Sequence, residues 1–182
     1  MFVNLQKRYA VHTAPLGEFA RGMKRRLRLG RREFNICFVD DHAIRHMNLA
    51  YRGKDKPTDV LSFPWNEAGA APTRRRGARA ASAGHGVSAN FLGDVVISVE
   101  TARRNAAAEG HSTLDEIRWL MLHGVLHLLG YDHERDNGEM IALELALREQ
   151  LGVAGGGSEE MQVKRQNAKG KAQNRNRNRV NF

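Results

Sequence analysis

Residues 123–133 read HGVLHLLGYDH, which places His123, His127 and His133 at an H-x-x-x-H-x-x-G-x-x-H spacing. Two histidines four apart on a helix lie on one face about one turn apart, so both imidazoles reach one ion. Gly130 falls where a helix ends in a left-handed cap, a conformation that costs glycine almost nothing. The chain can reverse there and return His133 as a third ligand. Three neutral nitrogens leave a fourth tetrahedral position open for water, the arrangement of a catalytic zinc site. The expected cofactor is one zinc ion, although nickel, copper or iron also suits three imidazoles.

The spacing invites comparison with the metzincin proteases, whose pattern is H-E-x-x-H-x-x-G-x-x-H and whose glutamate is the general base. Gly124 stands at that position and can neither take nor give a proton. Met140, downstream, reads as a core residue of an apolar helix and not as a Met-turn. Peptide hydrolysis by the usual route is therefore disfavoured. An open metal position can still activate water or polarise a phosphoryl oxygen.

The 182 residues suffice for one domain with a substantial core. A single cysteine, Cys37, excludes an internal disulfide framework and fits a reducing compartment. The start, MFVNLQKRYAVHTAP, does not read as a signal peptide, and the longest apolar stretch, 119–131, is too short to span a bilayer. A soluble, cytoplasmic protein without a membrane partner is expected. The net charge of +9 is unevenly placed. Seven Lys or Arg and no acid lie from Lys164 to the end, and four Arg and no acid lie from Ala68 to Gly93. Without these eleven cations the chain carries a net −2. Such stretches favour phosphate-rich partners through counterion release.

Periodicity outlines the rest. Phe2 to Leu5 form a short strand, and Leu16, Phe19, Ala20, Met23 and Leu27 follow the rhythm of an amphipathic helix. Phe34, Ile36 and Phe38 alternate as a strand face. Asp40 or Asp41 caps a helix carrying Ile44, Met47 and Leu49. Strands follow at Val60 to Phe63 and in LGDVVISV, separated by an Ala-, Gly- and Arg-rich insertion at about residues 67–90 that is expected to be mobile. Thr101 to Glu109 is an alanine-rich helix. Ser112 caps the next, with Asp115 three residues on. Asp136 or Asn137 starts a last helix with Met140, Leu143, Leu147 and Leu151 inward. A domain of residues 1–153 and a disordered basic tail of 154–182 are expected.

Four blocks in order, LAYRGKDKPTDVLSFPW, LGDVVISVETA, HSTLDEIRWL and MLHGVLHLLGYDHE, carry a family resemblance. The chain resembles the YbeY family of bacterial single-strand-specific endoribonucleases, which act in ribosomal RNA maturation. The resemblance implies an α+β fold, a small mixed β-sheet with helices packed against it and the metal site on a helix and the following turn. It implies that His123, His127 and His133 bind zinc and that Arg52 lines the same cleft. A guanidinium fork there pairs well with a phosphate or a developing pentavalent phosphoryl group. Asp59 and Asp94 also fall in matching blocks, where they position neighbouring groups or cap turns. Asp132, before the third histidine, is placed to orient a ligand or to accept a proton. No residue stands out as general base.

The leading reading is thus a metal-dependent endoribonuclease of ribosome maturation and quality control, with RNA and the ribosome as partners. Two others come from different classes: a ribosome-associated assembly factor with a structural zinc, and a metzincin-like peptidase with a substitute base.

Overall fold

Every second residue of β2 (Glu33–Val39) turns to one side, and Phe34, Ile36 and Phe38 are buried there as the alternation requires. The computed structural model describes residues 1–65, 90–132 and 136–153. β2 lies between β1 (Phe2–Asn4) and β4 (Phe91–Ser98), parallel to both, and β3 (Val60–Pro64) closes the far edge antiparallel to β4. The order β1-β2-β4-β3 is a mixed sheet, as expected of the α+β class.

The two faces of the sheet are unequally covered. On one, α1 (Thr13–Arg26), α3 (Val99–Glu109), α4 (Thr113–Leu128) and α5 (Glu139–Gln150) contribute to the main core. Leu16, Phe19 and Met23 of α1 meet Phe34, Ile36 and Phe38 there, with Val95 and Ile97 of β4. On the other, α2 (Asp41–Arg52) places Ile44 over Val39, Leu61 and Val96 in a smaller cluster. α4 is buried nearly all round, and its mostly apolar sequence is what such a central position selects. Met140 is fully buried, a core residue as its sequence suggested.

Local chemistry sets the boundaries. Asp40 caps α2 by accepting from the Ala43 amide at 2.8 Å. Ser112 caps α4 by accepting from the Asp115 amide at 3.0 Å. The helix expected from Thr101 begins two residues earlier, at Val99, because buried Ser98 ends the strand and caps the helix at once. α5 begins at Glu139, and Asp136 accepts from the amides of Gly138 and Met140, both at 2.9 Å. Leu49 is 45% exposed on the outer side of α2, while Asn48 is buried and donates to the Lys56 carbonyl at 2.8 Å. The helix covers too narrow a cluster to bury both positions. The basic insertion and the tail lie outside the described residues, apart from Asn90.

Asp41 ties α2 to α3. It accepts from Ser98 Oγ at 2.6 Å and Thr101 Oγ1 at 2.7 Å, and pairs with Arg104 at 2.7 Å. Burial pushes its carboxyl up, but the two hydroxyls and the guanidinium outweigh this and hold it below its ordinary value. A depressed folded value means that its stabilisation is present above about pH 4 and lost as pH falls through that folded value. Asp41→Asn is expected to cost about 1–2 kcal/mol at neutral pH, with the gap to wild type closing in strong acid. Urea melts at both pH values check this; an equal gap at both would show that the charge is not the source.

Candidate metal centre

Trp119, His123 and His127 form one half-buried stripe down α4, at i, i+4 and i+8. The Nε2 atoms of His123 and His127 are 3.1 Å apart, with the rings nearly perpendicular at 78°. Nitrogens at Zn–N bonds of about 2.0–2.1 Å and tetrahedral angles would be separated by about 3.3 Å. The pair already has the spacing of two ligands on one ion.

Glu144 of α5 fixes the orientation of His123. One carboxylate oxygen lies 3.3 Å from His123 Nδ1, and the other accepts from the Trp119 indole. Accepting at Nδ1–H selects the tautomer whose Nε2 lone pair points toward His127, the arrangement that carboxylates impose on metal-ligating histidines. Arg148, one turn along α5, lays its guanidinium 4.4 Å over the Trp119 ring. Glu144 is only 4% exposed. Burial pushes its carboxyl up, yet contacts with His123, Trp119 and Arg148 hold it below the ordinary range. Sequence reading missed Glu144. Its signal was its place on the buried side of α5, between Met140 and Leu147, where a carboxylate needs partners.

Gly124 explains how the helix comes so close to the sheet. A β-carbon there would sit 2.4 Å from Val95 Cγ1, and Ser62 Oγ donates to the Gly124 carbonyl at 3.1 Å. At the far end, Gly130 takes φ +93°, with Gly130 N–H donating to His127 O at 3.0 Å and Tyr131 N–H to Leu126 O at 3.1 Å. These two bonds are a Schellman cap, the reversal that the glycine spacing predicted. His133 lies outside the described residues.

The other candidates lie on α2, on β4 and beside β3. Arg52 is exposed in the last turn of α2 and makes no hydrogen bond or ion pair with described residues. Asp94 accepts from Asn35 at 2.9 Å, and Asp59 accepts from the Val60 amide at 3.0 Å and from Thr58 Oγ1 at 3.1 Å. Among the described residues, one further group could hold a cation: Glu109, His111 and Glu116, whose ligand atoms lie within 4.8 Å of one another. Its core is a buried contact of 2.8 Å between His111 Nε2 and Glu116, where α3 gives way to α4. Sequence analysis did not single it out. A second i, i+4 pair, His42 and His46 on α2, also brings its Nε2 atoms to 3.1 Å. It is exposed, and among the described residues no carboxylate hydrogen-bonds either ring. Spacing creates both pairs, but only His123–His127 has a buried acceptor behind it.

The comparison with protein families gives the context for this site. A family model described as "Endoribonuclease YbeY" matches residues 7–152, most of the chain and all of the described helices. The chain belongs to the YbeY family. Among its relatives, a protein named Endoribonuclease YbeY from Nautilia profundicola is 43% identical over 122 residues, covering 67% of this chain and 74% of the relative. One of the same name from Desulforamulus reducens is 45% identical over 123 residues, covering 66% and 73%. The solution structure of a Thermotoga maritima protein superposes with a TM-score of 0.53 at 23% identity, over 83% of this chain and 89% of that one. That likeness supports the fold. No helix among the described residues is long and apolar enough to cross a membrane.

Proposed function

We propose that this chain is a cytoplasmic endoribonuclease that cuts single-stranded RNA during ribosomal RNA maturation, using one zinc ion held by His123, His127 and His133. The observation that carries the reading is the His127–His123–Glu144 array, with ligand spacing on one side and a buried carboxylate on the other. The names of the family's members supply the reaction class. When bound, the ion supplies Lewis acidity toward a phosphoryl oxygen and a lowered pKa for water.

The chain's own groups have separable tasks. Glu144 holds the His123 ring in register and keeps its proton at Nδ1. Arg52, a planar cation on the exposed end of α2, pairs with the phosphate at the cut and stabilises its developing charge. Gly124 offers no proton acceptor, so the glutamate-dependent route of the metzincins has no counterpart at that position. The ribosome and its RNA are the partners in this reading.

The test is a chelated full-length chain, reloaded with zinc and incubated with single-stranded ribosomal RNA, duplex RNA and an unstructured protein. Cleavage confined to the single strand and dependent on zinc is expected. Intact RNA alongside a cut protein would overturn the reading. A 2′,3′-cyclic phosphate at the new end would identify the ribose hydroxyl as nucleophile.

Glu144→Gln keeps the shape of the side chain but removes its charge from His123. Zinc affinity is expected to fall about 10–100-fold, as for other carboxylates behind a metal-bound histidine. Competition against a chromophoric chelator measures this; wild-type affinity would show that the carboxylate serves packing alone.

A further inference from the structure

Three aromatic side chains, Tyr51, Phe63 and Trp65, lie on the edge strand and at its margins. Tyr51, in the last turn of α2, is 60% exposed and meets Phe63 of β3 edge-to-face, with centroids 4.9 Å apart at 71°. Trp65, just beyond β3, is 44% exposed and meets Phe91 at 6.1 Å and 61°. The Trp65 amide donates to the Leu92 carbonyl, so the backbone pairing extends to it, about 7 Å along the chain from Phe63. Edge-to-face partners hold both exposed rings in place while leaving ring surface open. Among the described residues, the exposed large aromatics are Tyr51, Trp65 and Tyr131, and two of these three lie here.

The surroundings are basic. Arg52 follows Tyr51, and Lys56 is exposed in the loop between α2 and β3, whereas Asp55 is already paired with Arg45. On the strand between Leu61 and Phe63, Ser62 points the opposite way and donates to the carbonyl of Gly124, the neighbour of His123. α4 therefore packs against the side of the edge strand opposite Phe63, with His123 next to that contact in the chain.

We infer that Tyr51, Phe63 and Trp65 form a base-stacking platform for single-stranded RNA, with Arg52 and Lys56 along its phosphates, leading the strand over the β3 edge toward His123 and His127. The inference rests on the endoribonuclease reading and deepens it by naming where bases are gripped. Open rings interleaved with cations are what a single strand needs for binding without base-edge readout. A duplex, whose bases are already stacked, gains nothing from them. The platform thus selects unpaired RNA by its faces and not by its sequence.

The probe is a 2′-O-methyl oligouridylate, with an abasic oligomer of equal length as the charge-only control. Each is titrated against full-length wild-type, Tyr51→Ala, Trp65→Ala and Trp65→Phe proteins. Both alanine variants are expected to bind oligouridylate about tenfold more weakly and the abasic oligomer as tightly as wild type does. Trp65→Phe is expected to retain most of the affinity, and thermal melts confirm that each variant is folded. In cleavage assays the alanine variants should raise KM and leave kcat near wild type. Unchanged oligouridylate affinity in both alanine variants, or equal losses on the two oligomers, would overturn the platform. Base-dependent binding through these rings by a chain that cuts no RNA would overturn the nuclease reading and leave the platform standing.

Discussion

His127→Ala is expected to lose its bound zinc and at least about a hundredfold of its RNA cleavage, because Lewis-acid stabilisation of a phosphoryl oxygen supplies several kcal/mol. The fold should survive. His127 is half-buried, its ring meets that of His123 edge-on, and alanine is the better helix former. The metal-free variant should therefore melt at or slightly above the temperature of the metal-free wild type. Elemental analysis, a thermal melt and an RNA assay on the same preparation separate the possibilities. Full cleavage by a metal-free His127→Ala protein would sink the catalytic role of the pair.

The second large effect is expected at Gly124, one residue from the first histidine. Alanine normally improves a helix relative to glycine, by about 1 kcal/mol. Here its methyl group would meet Val95 Cγ1 at 2.4 Å and Cγ2 at 3.0 Å, and Val95 is fully buried. Overpacking of this kind costs about 1–3 kcal/mol, enough to cancel or reverse the propensity gain. Gly124→Glu is worse, since a carboxylate would also enter the contact between α4 and the sheet without a partner. It is expected to cost about 3 kcal/mol or more and to yield no peptidase. Urea melts test both. The Gly124→Ala, Val95→Ala double variant should recover part of the loss, a coupling that only direct contact produces. A Gly124→Ala protein more stable than wild type would refute the contact.

The alternation of Phe34, Ile36 and Phe38 announced a half-covered strand, and the His123–His127–Gly130 spacing announced a helix face and its reversal. Both signals are short-range and survive in one dimension. Glu144 is twenty-one residues from His123 and is coupled to it only because α5 packs on α4. In the sequence it looks like any helical glutamate until its neighbours Met140 and Leu147 are recognised as buried. Glu116 and His111 were obscured in the same way, by a cap motif whose Ser112 drew attention to the surface. His42 and His46 give the converse lesson. They satisfy the helical spacing as well as His123 and His127 do, so spacing supplies proximity while tertiary contacts supply the second hydrogen bond.

The way α4 is enclosed has a consequence for how the centre is assembled. Its two candidate ligands stand on a helix whose remaining faces are held by the core, so their relative position is set when the domain folds. Little chain entropy is left to lose when a cation arrives, in contrast to metal domains that fold only around their ion. An ion bound by the proposed ligands would then leave and return without melting the protein, and its occupancy would follow the cellular supply.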